Sequence, residues 1–144
     1  MLQPKIVLVS GAFDGLHAGH LDFLRQAKSL GDELVVVIGR DAVIEKIKGK
    51  KPVHHEQDRL SLVSQLKLVD RAVLGTNSLR YDIIKQINPD IIALGYDQMP
   101  EEELQKQLNL MSLQPKIVRL QGYQPQKYKS TLFLSCFSVI LGMD

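Results

Sequence analysis

The chain has 144 residues, near the commonest domain size and long enough to bury roughly 70% of its unfolded surface without metals or disulfides. It is 44% hydrophobic and 24% charged, an ordinary globular composition, and a net charge of +2 is too small to point to nucleic acid. The lone cysteine, Cys136, excludes an intrachain disulfide, and the start MLQPKIVLVSG has no basic region followed by a long apolar run, so the cytoplasm is the expected location.

In chain order, Lys5 to Val9 is apolar on both faces, as a buried central parallel strand requires. A glycine-rich loop follows, and then a helix with Leu21, Phe23, Leu24, Ala27 and Leu30 on one face and Arg25 and Lys28 on the other. Gly31-Asp32 stops it, and Leu34 to Ile38 is a second continuous apolar strand. The two strands and their helix form a βαβ unit with a right-handed crossover. Asp41 is placed to N-cap a short helix through Lys46, and KIKGKKPVHH reads as a basic, glycine- and proline-broken loop.

Glu56 to Lys67 is the next predicted helix, with Leu60, Val63 and Leu66 inward and Arg59 near its start. Asp70 to Leu74 is a short strand, residues 81–87 a helix, and Ile91 to Leu94 a buried strand ending in Gly95-Tyr96-Asp97-Gln98. Glu101 to Asn109 is a helix whose acidic first turn suits its positive dipole end. Lys116 to Leu120 is the last strand and Ser130 to Leu141 the last helix. The alternation predicts one domain over residues 1–144, a three-layer, doubly wound (Rossmann-like) α/β sandwich on a mostly parallel five-stranded sheet. The apolar run from Leu132 to Leu141 is too short for a bilayer, which takes about 20 residues, so it reads as a buried or partner-facing helix, for instance a homodimer surface.

The chemistry gathers in the first loop, GAFDGLHAGH. Gly11 allows a sharp turn after the strand, and His17 and His20 fall three apart at a helix N-terminus, where free N–H groups attract anions. The pair suits a polyphosphate, whether the rings are neutral or charged. A zinc site from the two histidines, or histidines that merely cap or pack, are the alternatives. The stretch lacks G-x-G-x-x-G, and no G-x-x-x-x-G-K-[ST] occurs. Lys48, Lys50 and Lys51 form either a phosphate-following loop or a solvated basic one.

GAFDGLHAGH resembles the signature loop of the cytidylyltransferase-like nucleotidyltransferases, the group with an H-x-G-H motif. The resemblance continues through LGDELVVVIGRD, KGKKPVHHEQDR and NPDIIALGYDQ, and faintly through KYKST. It implies transfer of a nucleoside monophosphate from a triphosphate to a phosphorylated acceptor, with release of pyrophosphate. By it, His17 and His20 contact the phosphates and the pentacoordinate α-phosphorus, while Gly11, Ala12, Phe13 and Asp14 shape the nucleotide loop. Lys50 reaches the triphosphate, Asp97 takes the ribose or a metal-bound water, and Ser130 and Thr131 add hydroxyls at the last helix. Asp41, Lys48, Arg59 and Tyr96 line the acceptor side.

A divalent ion, most simply Mg²⁺, is implied as a bridge between phosphates, with no protein ligands of its own. The run PDIIALGYDQ is most similar to the archaeal-type FAD synthases, which join ATP to FMN. CTP with glycerol 3-phosphate or another polyol phosphate is the alternative pair, and a non-catalytic nucleotide-binding module the second. Neither nucleic acid nor membrane is expected as a partner.

Overall fold

The computed structural model describes residues 3–76, 82–98 and 100–123. Five strands, β1 (Ile6–Gly11), β2 (Glu33–Ile38), β3 (Arg71–Leu74), β4 (Ile91–Leu94) and β5 (Lys116–Arg119), form one sheet in the order β3-β2-β1-β4-β5. Every recorded pairing is parallel, so the expected mostly parallel sheet is parallel throughout the described residues. The crossovers carry helices α1 (Ala18–Lys28), α2 (Asp41–Lys48), α3 (Glu56–Ser64), α4 (Asp82–Ile87) and α5 (Glu101–Leu110).

Alternate residues of each strand enter two separate cores, which is why the strands read as unbroken apolar runs. Val7, Val9, Leu34 and Val36 pack with Phe23, Leu24, Ala27 and Val63 from α1 and α3. Leu8, Val35, Val37 and Ile92 pack on the other face with Ile84, Leu104 and Leu108 from α4 and α5. At the amino edge of the sheet, aspartates in the turns hold the register. Asp32 accepts from the Lys5 amide at 2.8 Å, Asp70 from Leu34 at 2.7 Å and Asp90 from Ile6 at 2.8 Å. A slip by one residue would lose these bonds and turn every side chain over.

Two local expectations change. Asp41 is not the cap of α2: Arg40 stands there, and Asp41 is the first helical residue, its carboxylate drawn off to α3. α3 ends at Ser64 rather than Lys67, because the amides of Gln65 and Leu66 turn back onto the carbonyls of Leu62 and Val63. The expected helix from Ser130 to Leu141, with Cys136 in it, lies outside the described residues. No helix among the described residues is long and apolar enough to cross a membrane.

β1 is central, and the chain leaves it first for β2 on one side and later for β4 on the other. The order of strands therefore reverses between β1 and β4, where open sheets of this kind bind ligands beyond their carboxyl ends. The β1–α1 loop and the turn after β4 are the two walls of that crevice.

At the opposite edge, a Cβ added to Gly31 would lie 2.8 Å from both the Lys5 carbonyl oxygen and Val7 Cγ2. Gly31→Ala is expected to cost about 1–3 kcal/mol by overpacking, read as a lower urea midpoint at unchanged slope. An unchanged midpoint would show that the α1–β2 connection is looser than this.

Candidate active site

The β1–α1 loop turns through Phe13, a non-glycine residue at φ 53, and Gly15 at φ 89. A left-handed phenylalanine stores about 1–3 kcal/mol of strain and persists only where its surroundings hold it. Here the side chain is almost wholly buried, and its ring lies 5.4 Å from that of His20, centroid to centroid.

The two histidines then build the start of α1. His17 is the N-cap, and its Nδ1 accepts from the amides of Gly19 at 3.0 Å and His20 at 3.3 Å. His20 answers as the third helical residue, its Nδ1 accepting from the His17 amide at 3.2 Å. This is a capping box made with imidazoles in place of the usual hydroxyl and carboxylate. The rings stack at 3.8 Å.

The bonding decides the chemistry. A ring nitrogen that accepts an N–H carries no proton, so each neutral imidazole bears its proton on Nε2. Burial lowers the pKa of His17, and burial and then the neighbouring His17 lower that of His20 to about 4. At neutral pH both rings are uncharged, and each offers one Nε2–H donor whose tautomer is locked by the helix cap. The cap thus fixes the tautomer of both rings.

Asp14 turns its carboxylate to the segment that follows the lysine loop. Its carboxylate accepts from the amides of Val53 at 2.7 Å and His54 at 2.9 Å, and meets His54 Nδ1 at 2.9 Å. Burial alone would raise its pKa, but these partners outweigh it and the pKa is lowered. Asp14 therefore ties the segment after Lys51 to the β1–α1 loop. Lys48 ends α2, Gly49 caps it in the left-handed conformation at φ 79, and Lys50 and Lys51 follow, all three lysines exposed.

Arg59 departs most from expectation. It is fully buried. Its Nη1 donates to the Ala12 carbonyl at 2.7 Å, Nη2 to Asp41 Oδ1 at 2.6 Å, and Nε to the His54 carbonyl at 3.0 Å. With each nitrogen engaged, the side chain holds three segments together rather than facing an acceptor. Asp41 is likewise committed: besides Arg59, its carboxylate takes the Glu56 amide at 3.2 Å, while Glu56 takes the Asp41 amide at 2.8 Å. The N-termini of α2 and α3 cap each other through these carboxylates, with Arg40 closing the set on Glu56 at 2.8 Å.

The second wall is the turn after β4. Both carboxylate oxygens of Asp97 are shielded from solvent, and Tyr96 is partly exposed, its pKa raised by burial and by Asp97. The turn rests on α1, where a Cβ on Gly95 would stand 3.6 Å from the Phe23 ring. Ser130 and Thr131 lie outside the described residues. The structure thus joins Gly11, Ala12, Phe13, Asp14, His17 and His20 in one wall and sets Tyr96 and Asp97 in the other. Sequence reasoning missed His54, Glu56, Gln98 and Arg119, whose importance rests on contacts with distant segments.

The capping box has a pH signature. An unfolded histidine binds a proton near pH 6.5, whereas folded His20 refuses it until about pH 4. Between these values the unfolded chain binds more protons, so stability falls as the pH falls, by about 3 kcal/mol from His20. His20→Gln keeps an acceptor at the same helical position but does not titrate. Urea midpoints at pH 7 and pH 4.5 should show a shallower acid loss in the variant; equal losses would refute the assignment.

Comparison with known proteins agrees with this geometry. The model of the cytidylyltransferase-like family matches residues 8–135. FAD synthase of Thermoplasma volcanium is 45% identical over 126 residues, covering 87% of this chain and 88% of that protein. FAD synthase of Thermoplasma acidophilum is 41% identical over 137 residues, covering 94% and 96%. A crystal structure described as the lipopolysaccharide core biosynthesis protein from Thermoplasma volcanium GSS1 superposes with a TM-score of 0.81 at 45% identity, over 85% of this chain and 100% of that one. With an H-x-G-H loop at the switch point of a parallel sheet and a match over most of its length, the chain belongs to the cytidylyltransferase-like family.

Proposed function

We propose that this protein is an FMN adenylyltransferase, joining ATP and FMN into FAD with release of pyrophosphate. The observation that carries the reading is the histidine capping box at the crevice, two neutral, tautomer-locked donors at the positive end of α1. Relatives named FAD synthase, at 41% to 47% identity over most of the chain, support the choice of substrates.

In this mechanism a phosphate oxygen of FMN attacks the α-phosphorus of ATP in line. The bond from that phosphorus to the bridging oxygen breaks, and the electron pair leaves with pyrophosphate. No covalent intermediate on the protein is required, so positioning and charge stabilisation supply the rate. The Nε2–H groups of His17 and His20 donate to the phosphate oxygens on which charge builds. Neutral donors serve here because they keep their proton throughout. Lys50, beyond the Gly49 hinge, is the cation able to follow the triphosphate, with Lys48 beside it on the acceptor side. Asp14 fixes the far end of that loop to the wall holding the histidines.

A divalent ion such as Mg²⁺ would neutralise the triphosphate and the departing pyrophosphate. Among the described residues no three His, Cys, Asp or Glu side chains cluster as a metal site, and phosphate oxygens are themselves hard ligands for such an ion. Asp97, whose carboxylate oxygens are shielded from solvent, has the hard donor chemistry that such an ion favours.

The likeness to a protein described as acting in lipopolysaccharide core biosynthesis favours a second reading, a nucleotide transferred to a sugar or polyol phosphate. Pyrophosphate release with ATP or CTP, each crossed with FMN or glycerol 3-phosphate, separates the two. Only ATP with FMN should turn over. Turnover of CTP with glycerol 3-phosphate would favour the second reading, and binding without turnover of any pair would mark a non-catalytic module. His17→Ala should lower kcat by about 10²–10³ through the lost donor, and an unchanged kcat would refute its role.

A further inference from the structure

Arg119 lies at the end of β5 and is not part of the H-x-G-H loop, the lysine loop or the Ser-Thr pair. Its Nη1 donates to two carbonyls of the turn after β4, Gly95 and Gln98, each at 2.9 Å, and its Nε lies 3.6 Å from Glu101 at the start of α5. Within the turn, Gly95 donates its amide to Gln98 Oε1 at 2.6 Å, and Gln98 returns its amide to the Gly95 carbonyl at 3.1 Å. Tyr96 and Asp97 are the two residues inside this loop of bonds.

The chain beyond β5 presses on the same turn. A Cβ on Gly122 would stand 2.9 to 3.2 Å from three ring atoms of Tyr96, so the backbone backs the tyrosine ring directly. That backbone is itself clamped, for Gln26 of α1 donates to the Gln121 carbonyl at 2.9 Å and accepts the Gln121 amide at 3.0 Å. α1 also carries both histidines. One helix thus sets the distance between the donors of the first wall and the turn that forms the second.

We propose that Arg119 is a positioning residue for the transfer reaction, holding the Gly95–Gln98 turn so that Tyr96 and Asp97 meet the substrates, with Gly122 backing the Tyr96 ring. The guanidinium suits this task because one planar nitrogen spans two carbonyl oxygens, which shapes the turn without the group touching ligand. The effect on catalysis rests on the adenylyltransferase reading; the effect on the turn does not. A lysine in its place keeps a charge but has no planar fork.

The test uses the whole chain and two kinds of readout. In Arg119→Ala, which removes both hydrogen bonds to the turn, the amides of Gly95 and Gln98 should exchange with solvent about tenfold faster, while those of Gly19 and His20 keep their rates. Arg119→Lys should restore this only in part. In turnover assays KM for both ATP and FMN should rise about tenfold, consistent with one lost positioning contact. Gly122→Ala, which displaces only the Tyr96 ring, should raise KM for FMN and leave KM for ATP unchanged. Unchanged exchange at Gly95 and Gln98 in Arg119→Ala overturns the positioning role, as does unchanged KM for FMN in Gly122→Ala. Absence of turnover of ATP and FMN by the unaltered protein overturns the adenylyltransferase reading instead, and the exchange rates still decide the role of Arg119.

Discussion

Arg59 carries a full positive charge out of reach of water, and the first wall of the crevice is assembled around it. Burying a cation costs several kcal/mol, recovered only when its partners are close and well aimed. Three such partners come from three segments: Ala12 in the β1–α1 loop, His54 before α3 and Asp41 at the start of α2. None of them neighbours another in the chain. The guanidinium therefore converts local turns into one rigid body, and the strained backbone at Phe13 can persist because the loop on either side of it is held. The mutual capping of α2 and α3 by Asp41 and Glu56 extends the same body, so the lysine loop between those helices is carried on a fixed frame.

The histidines gain from this rigidity. A donor aimed at developing charge is effective when it need not reorganise as the charge appears. Tying Nδ1 of each ring into the backbone of α1 removes the freedom to choose a tautomer and much of the freedom to rotate. Burial keeps the rings neutral, and the helix terminus supplies the positive field that the rings do not. The spacing of three residues in H-x-G-H is the spacing of a capping box, N-cap to third helical residue. The glycine between them leaves the amide of the first turn open to His17.

Much of the fold was legible because the strands of a sheet covered on both faces must be apolar at every position, as LVVVI in β2 shows. The first loop was legible as well, since its composition departs from anything a plain connection needs. Arg59 and Asp41 were found as residues, but their contacts with each other and with distant segments were not foreseen. Periodicity placed Arg59 near a helix start, yet the pattern of α3 is weakly amphipathic and gave no sign that a charged residue shares the inward face with Val63. A buried cation is betrayed only by partners distant in sequence, here 47 and 18 residues away. The same reason hid Gln98 and Arg119.

The two walls of the crevice differ in how they are built. The first wall presents backbone amides and imidazoles, groups suited to phosphate oxygens, with the buried guanidinium behind them as a brace. Among the described residues, the turn after β4 brings the side chains of Tyr96 and Asp97 to the same carboxyl edge of the sheet. It is fastened by a separate set of bonds, to β5 and to the chain beyond it, that shares no residue with the Arg59 network. Changes in that turn can alter its reach or chemistry without unseating the histidines. Among the described residues, the two walls are thus fastened by separate sets of bonds, and a change in one need not disturb the bonds of the other.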